Sequence, residues 1–399
     1  MTFPPPPALG APGVSGTVSA GTVSAAAGPT SVAATATATT GPAPARGRLA
    51  TLDLMRGYYV GVLAAIHLDY VPSLLGLVDG RGSLLTSEAE GFFMISGLLV
   101  GMLRRRDLER YGLVRMTLNS WKRALQLYLV AVPLTLLFTF IGRVAVHHGH
   151  SQVKSGLNMS WQPLSLLEQS LTLNYTYGWA DFLTYYVPMF LIAPLAVWLL
   201  SKRLWPVVLG GAYLGYWLPS HSDTGWARPF LQWGVYFVIG AAAGYHREDL
   251  RRLMARLTPA WNRGVRIAFV AAALVIYGAG LVLLFRPTLV SHSADYVMLF
   301  QNGRLGVLRP LAAPISVAGT YFLVRRFEEP LVRTVGKVLI PFGRNSLYVY
   351  VAQSFVVFLV PFAFGPQDFL LNTVFDFGVI AVMWTGVRTG FLAFLIPKA

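Results

Sequence analysis

The chain has 399 residues, of which 55% are hydrophobic and only 12% are charged. A soluble domain carries roughly 25% charged residues, so this composition excludes an ordinary soluble protein and predicts an all-α, polytopic membrane protein. The net charge of +15 lies mainly in short connections between apolar runs, which indicates a membrane topology signal and argues against nucleic-acid binding.

The sequence contains no cysteine, so the chain forms no disulfide, thiolate nucleophile or Cys-ligated metal site. Residues 1–45 are rich in Pro, Ala, Gly, Thr and Ser and carry no charge. Such a segment buries too little apolar surface to offset its ordering entropy, which predicts a disordered tail. We expect residues 46–399 to form a single transmembrane domain.

Ten apolar runs follow the tail, with about 20 residues taken as the length of one membrane crossing. They are residues 57–75, 84–103, 122–141, 179–200, 204–219, 229–245, 265–285, 306–324, 345–363 and 371–396. Basic residues concentrate in connections 104–123, 201–203, 246–266 and 325–344. All four lie on one side if both termini are cytoplasmic, and the positive-inside rule then predicts this orientation in the inner (cytoplasmic) membrane.

Two glycine pairs predict close helix packing, because small residues spaced by four let helix backbones approach each other. They are Gly97-x-x-x-Gly101 and Gly240-x-x-x-Gly244. The chain shows no internal repeat of the kind that is common in transporters.

Ionisable residues in the first apolar run indicate a functional site, because hydrocarbon strongly disfavours them. Arg56 and His67 are eleven residues apart, so a helix turns about 1,100° between them and leaves them on one face, about 16 Å apart along its axis. Asp53 shares this face and can pair with Arg56. Two simpler interpretations stay open, an interfacial anchor for Asp53 and Arg56 and a structural role for His67.

Glu90 lies on the second helix, which is expected to run in the opposite direction and to bring this carboxylate to the depth of His67. A carboxylate that faces an imidazole fixes its tautomer and raises its basicity, as a general base requires. The sequence therefore allows Glu90 and His67 to lie at similar depths and to face each other.

These residues fall in stretches that resemble the OpgC-like branch of the membrane acyltransferase-3 superfamily. The first is L-D-L-M-R-G followed by ten residues and His67, and the second is S-E-A-E-G-F-F-M-I-S-G. Three further stretches, at 180–194, 231–240 and 342–350, are similar to the OpgC pattern. The resemblance spans about residues 48–363, with one departure, because Gln353 stands where many relatives have a histidine.

The resemblance implies a ten-helix enzyme that transfers an acyl group, succinyl in the named branch, to a hydroxyl of a periplasmic glucan. By position, His67 would be the catalytic residue and Arg56 a donor-binding or structural residue, with Glu90 and Asp53 completing the polar core. The expected donor is acyl-CoA, whose phosphates suit the cytoplasmic basic connections, and no permanently bound cofactor is expected.

The remaining candidates are weaker. Asp181 and Tyr185 share a helix face at i, i+4 and, with Trp233, are candidates to bind the acceptor. Other aromatic residues near the membrane edges fit an interfacial belt. Arg309 and Arg344 fit ordinary helix flanks, while Arg388 lies inside the last helix and is less easily explained. The histidines of the outer loop, His147, His148 and His150, lack a nearby carboxylate, so no metal site is predicted.

Two hypotheses from different classes therefore stand. The first is an O-acyltransferase that acts on a cell-envelope glucan, polysaccharide or glycolipid, with His67 as general base. The second is a transporter or flippase of an envelope precursor, which buried charges also fit. An inactive relative of the acyltransferases stays open because of Gln353.

Overall fold

The computed structural model describes residues 50–80, 84–150, 153, 162–221, 227–289, 299–300 and 306–391. The predicted disordered tail of residues 1–45 lies outside these ranges. Every regular element within them is helical, which confirms the all-α prediction.

The helices are α1 (Ala50–Leu68), α2 (Leu74–Asp79), α3 (Glu88–His147), α4 (Pro163–Leu171), α5 (Asp181–Ser201), α6 (Trp205–His221), α7 (Ala227–Tyr245), α8 (Arg247–Arg256), α9 (Pro259–Phe285), α10 (Arg309–Arg326), α11 (Glu328–Arg333), α12 (Gly336–Arg344), α13 (Ser346–Ala363) and α14 (Phe369–Thr389). Two 3₁₀ turns, Gly178–Ala180 and Pro287–Leu289, precede α5 and follow α9.

Five of the helices in the described ranges are long and apolar enough to cross a membrane, and they are α3, α5 with its preceding turn, α9, α13 and α14. Other helices fall short for visible reasons. Helix α6 has 17 residues, and α10 carries three arginines. The chain is therefore a helical membrane protein, while ten crossings and cytoplasmic termini stay predictions.

Helix α3 is folded back on itself at Gly112. This residue has φ 77° and ψ 178° inside an otherwise helical segment of 60 residues. The side chain of Asn119 donates to Asp107 over 3.2 Å, although twelve residues of straight helix would separate the two by about 18 Å. The segment thus forms two antiparallel arms, which correspond to the second and third apolar runs.

The predicted glycine pairs pack against each other. Gly97 and Gly101 on α3 lie against the backbone of Phe237 and Ala241 on α7, and the glycines of α7 in turn contact the backbone of α3. A Cβ atom at Gly97 would overlap the carbonyl of Phe237. The prediction of close helix packing at these glycines is confirmed, and each pair turns out to be the partner of the other.

Helix α1 lies at the centre of the bundle, where it packs against α12, α13 and the first arm of α3. The contact with α12 is a close one, because Gly57 lies against the carbonyl of Leu339 and Gly343 against that of Asp53. Most of the α1 side chains are buried as a result. The polar residues of α1 must therefore find their partners on neighbouring helices.

Candidate active site

Arg56 and His67 both point from α1 toward α13. The guanidinium Nη2 of Arg56 donates to the Ser346 hydroxyl over 2.5 Å, and Nδ1 of His67 lies 3.1 Å from Nε2 of Gln353. The two residues therefore share a helix face, as their spacing predicted. Because Arg56 meets the start of α13 and His67 a later turn, α1 and α13 run in the same direction.

Asp53 has a different partner from the predicted one. Its carboxylate accepts a hydrogen bond from Nε of Arg344, at the end of α12, over 3.2 Å. Arg344 is therefore more than an ordinary helix flank, and the pairing of Asp53 with Arg56 stays a prediction. The close packing of α1 on α12 brings the two charges together and gives Asp53 a structural role at this contact.

Glu90 also has a partner other than the predicted one. Its Oε1 lies 2.6 Å from Nε of Arg309, and both side chains are completely buried. Arg309 in addition donates to the carbonyls of Leu84, over 3.2 Å, and Phe300, over 3.0 Å. Both carboxylate oxygens of Glu90 thus have partners other than His67, because the Ser87 amide donates to Oε2 over 3.0 Å. The expected contact of Glu90 with His67 is not among these contacts and stays a prediction.

A first cavity, here called the basic cavity, has a volume of about 420 Å³. It lies between α1, both arms of α3, α5 and α13. The cations that line it are Arg56, Arg104, Lys122 and Arg123, and its apolar wall includes Phe182, Tyr186 and Tyr350. Three of these four cations come from the fold of α3, so the hairpin at Gly112 concentrates positive charge at this opening.

A second cavity, here called the His67 pocket, has a volume of about 240 Å³. His67 lines it together with Asp69, Tyr70, Trp179 and Phe358. Asp69 is exposed and has a φ of 58°, a backbone conformation that aspartate tolerates better than most residues. The pocket thus combines an imidazole, a carboxylate and an indole.

A thin aromatic layer separates the two cavities. Phe182 and Tyr350 line the basic cavity, and each has its ring centroid 6.3 Å from that of His67. Trp179, which lines the His67 pocket, has its centroid 6.4 Å from His67 and accepts a hydrogen bond at its carbonyl from the hydroxyl of Tyr350. His67 therefore lies where the two cavities approach each other, with the Tyr350 ring beside it.

The predicted acceptor residues lie beside this layer. The Tyr185 hydroxyl donates to Asp181 over 3.3 Å, so their shared face is confirmed. The Trp233 ring stacks on Phe93 at 5.4 Å and reaches His67 only through Phe182. None of the three lines either of the two cavities at His67, and their role in acceptor binding stays a prediction.

Other predicted candidates line neither cavity. The Arg388 guanidinium lies over the Trp384 ring at 5.1 Å, which explains a charge in the last helix. His147, His148 and His150 are exposed. Within the described residues, no group of three or more His, Asp or Glu side chains is arranged to hold a metal ion.

Sequence reasoning missed the part that Arg309 and Ser346 play. Ser87-x-x-Glu90 is the spacing of a helix-capping pattern, and the Ser87 amide does donate to Glu90 over 3.0 Å. This capping pattern could have placed Glu90 in the first turn of a helix, which the structure brings close to Arg309 at the start of α10. No local pattern indicates that Ser346 would meet Arg56.

The fold and the site define a helical membrane protein with a buried polar centre between two cavities. The family model described as OpgC protein matches residues 48–391, and the chain therefore belongs to the OpgC family. This family is in general one of acyltransferases and suggests modification of an envelope glucan. Searches of the curated proteins and of the solved structures gave no match.

Proposed function

We propose that this protein is an integral-membrane O-acyltransferase of the inner membrane. It transfers an acyl group, succinyl or acetyl, from acyl-CoA to a hydroxyl of a cell-envelope glucan, polysaccharide or glycolipid. The observation that carries the proposal is the approach of the basic cavity and the His67 pocket to each other at His67. Membership of the OpgC family supports the reaction class.

The basic cavity suits the donor. Acyl-CoA presents several phosphates on one end and a thioester at the end of a long, flexible arm. Phosphates form charge-assisted hydrogen bonds with Lys and Arg, and Arg104, Lys122 and Arg123 line the cavity. Arg56 lies deeper, about 16 Å along α1 from His67, where its guanidinium would meet the arm of the donor.

The His67 pocket suits a sugar acceptor. Trp179 offers an aromatic side chain that can pack on a pyranose ring, and Asp69 offers a carboxylate that can accept hydrogen bonds from sugar hydroxyls. A hydroxyl bound in this pocket lies next to His67. The acceptor residues proposed from the structure are thus Asp69 and Trp179, in addition to the three that the sequence predicted.

The reaction then needs one proton transfer and one displacement. His67 takes the proton of the acceptor hydroxyl while the hydroxyl oxygen attacks the thioester carbonyl. The carbon–sulfur bond breaks, and the leaving thiolate takes the proton back from His67 to give an ester and free CoA. A positioned general base contributes about 10²–10⁴-fold to the rate.

The test is acyl transfer by the full-length protein in nanodiscs, with succinyl-CoA or acetyl-CoA as donor and glucose oligosaccharides as acceptor. Mass spectrometry of the oligosaccharides shows the added acyl mass. We expect transfer by the wild type and a loss of about 10²-fold or more for His67→Gln. The matched control is His148→Gln, an exposed histidine that lines neither cavity.

Two results would contradict the proposal. One is a His67→Gln protein that transfers acyl groups as fast as the wild type. The other is a glycan that crosses the membrane of proteoliposomes unmodified, which would support the transporter hypothesis instead, since two cavities in one helical bundle also fit that function.

A further inference from the structure

The amide of Gln353 and the ring of His67 form a hydrogen bond whose direction decides where the ring holds its proton. Nε2 of Gln353 lies 3.1 Å from Nδ1 of His67, and Gln353 is completely buried. Within the described part of the chain, the carbonyl oxygen Oε1 of the same amide is buried and accepts no hydrogen bond. In this orientation the amide donates to Nδ1, and the neutral ring carries its proton on Nε2.

A general base requires the opposite tautomer. When Nε2 carries the proton and Nδ1 is bonded to the amide, the neutral ring has no lone pair with which to accept a proton from a substrate. The two ends of an amide have nearly the same size, and the last torsion of glutamine is broad and roughly two-fold. A half-turn of the amide therefore places Oε1 at Nδ1 with little change in packing.

The charged ring imposes the same requirement. An imidazolium carries protons on both nitrogens, so only an acceptor can bond its Nδ1–H. The carbonyl oxygen of Gln353 is such an acceptor, and it is the buried atom that the present orientation leaves without a hydrogen bond.

We propose that Gln353 is a positioning residue that sets the tautomer of His67. Its Oε1 accepts the Nδ1–H proton, which makes Nε2 the base, and it holds the imidazolium after Nε2 has taken the proton of the acceptor hydroxyl. This inference rests on the proposed acyl transfer. The amide plays the part that a carboxylate or an asparagine side chain plays in hydrolase triads.

The surroundings explain why a neutral group suits this position. Phe182, Tyr350 and Trp179 surround His67 with aromatic surface. A carboxylate buried there would be strongly destabilising unless it were paired with a cation, whereas an amide orients the ring without adding charge. Among the described residues, the titratable side chains near the ring include Tyr350 and, in the His67 pocket, Asp69 and Tyr70.

Three variants test this inference in nanodiscs with the acyl-transfer assay described above. Gln353→Met keeps the volume but removes the hydrogen bond, and we expect kcat to fall about 10²-fold with an unchanged KM for the acceptor. Gln353→Glu keeps an acceptor at Nδ1, so it should retain more activity than Gln353→Met. It should also move the acidic limb of the kcat–pH profile to higher pH, because a carboxylate favours the charged ring. The matched control, Ser354→Ala, removes a hydroxyl that bonds only within α13 and should behave as wild type.

Nitrogen-15 NMR of labelled histidine gives a readout that does not depend on activity. The His67 signals are assigned by their absence from His67→Gln, and we expect a neutral ring with the proton on Nδ1 in the wild type but not in Gln353→Met. A wild-type ring with its proton on Nε2 would overturn the inference. So would an active Gln353→Met protein, or equal losses in both Gln353 variants with an unshifted pH profile. A wild-type protein that transfers no acyl group would refute the proposed function instead, and the NMR measurement would still decide the tautomer.

Discussion

The buried pair of Glu90 and Arg309 gives the sharpest quantitative prediction. The two side chains are completely buried and their charged atoms lie 2.6 Å apart. Removal of one partner from a buried ion pair costs about 3–5 kcal/mol, because the other charge is left without compensation. Arg309→Met also removes the hydrogen bonds to two backbone carbonyls, so its loss should lie at the upper end of this range.

The double variant separates the charge effect from packing. Glu90→Leu and Arg309→Met should each destabilise the protein by about 3–5 kcal/mol. Together they replace an ion pair by apolar side chains, which is often neutral or stabilising. We therefore expect the double variant to be more stable than either single variant, with a strongly non-additive cycle.

The assay is reversible unfolding by SDS in mixed micelles, followed by tryptophan fluorescence, together with acyl transfer by each variant. Arg325→Met is the matched control, because Arg325 lies in the last turn of the same helix in an exposed pair with Glu328. Exposed pairs contribute about 0–1 kcal/mol, so this control should unfold almost as the wild type does.

Two outcomes would refute the reasoning. If the double variant loses as much stability as the two single variants added together, the charges are not coupled. If it folds normally but transfers no acyl group, Glu90 acts on the chemistry directly, and the sequence-based assignment of Glu90 to His67 would gain support.

The remaining predictions concern packing and the two cavities. Gly97→Ala on α3 should cost about 1–3 kcal/mol by overpacking against the Phe237 carbonyl of α7. Gly234→Ala on α7, where a Cβ atom would meet open space, should cost less than about 0.5 kcal/mol, and SDS unfolding compares the two variants. Lys122→Gln should raise the KM for acyl-CoA without lowering kcat, because an exposed cation of the basic cavity is lost. Asp69→Asn should raise the KM for the oligosaccharide acceptor and leave that for acyl-CoA unchanged, as steady-state kinetics with each substrate varied would show.

The sequence predicted well what depends on periodicity. Eleven residues of helix place Arg56 and His67 on one face, and the structure shows both of them turned toward α13. The spacing of four between glycines predicted close packing, and the structure shows that the two pairs pack on each other. Which residues share one face of a helix depends on that helix alone, so a local sequence pattern is enough to predict it.

Partners across helices could not be predicted in the same way. Asp53 and Glu90 were correctly singled out as buried carboxylates, but Arg344 and Arg309 come from segments more than 200 residues later in the chain. Neither arginine stands out from the helix flanks that the positive-inside rule expects. The choice of partner depends on which helix ends meet, and this is set by tertiary packing.

The cost of burying an unpaired charge explains why Glu90 pairs with Arg309, and why His67 is bonded to the neutral amide of Gln353. If Glu90 were bonded to His67 and not to Arg309, Arg309 would stay buried without an anion at a cost of several kcal/mol. A neutral histidine does not require an anion, and the amide of Gln353 gives it a hydrogen-bonding partner. The charged pair therefore holds the starts of α3 and α10 together, while His67 lies among aromatic rings and an amide. In the proposed reaction His67 gains and returns a proton, and the amide of Gln353 orients the ring through both steps without adding a charge that would favour one of its protonation states.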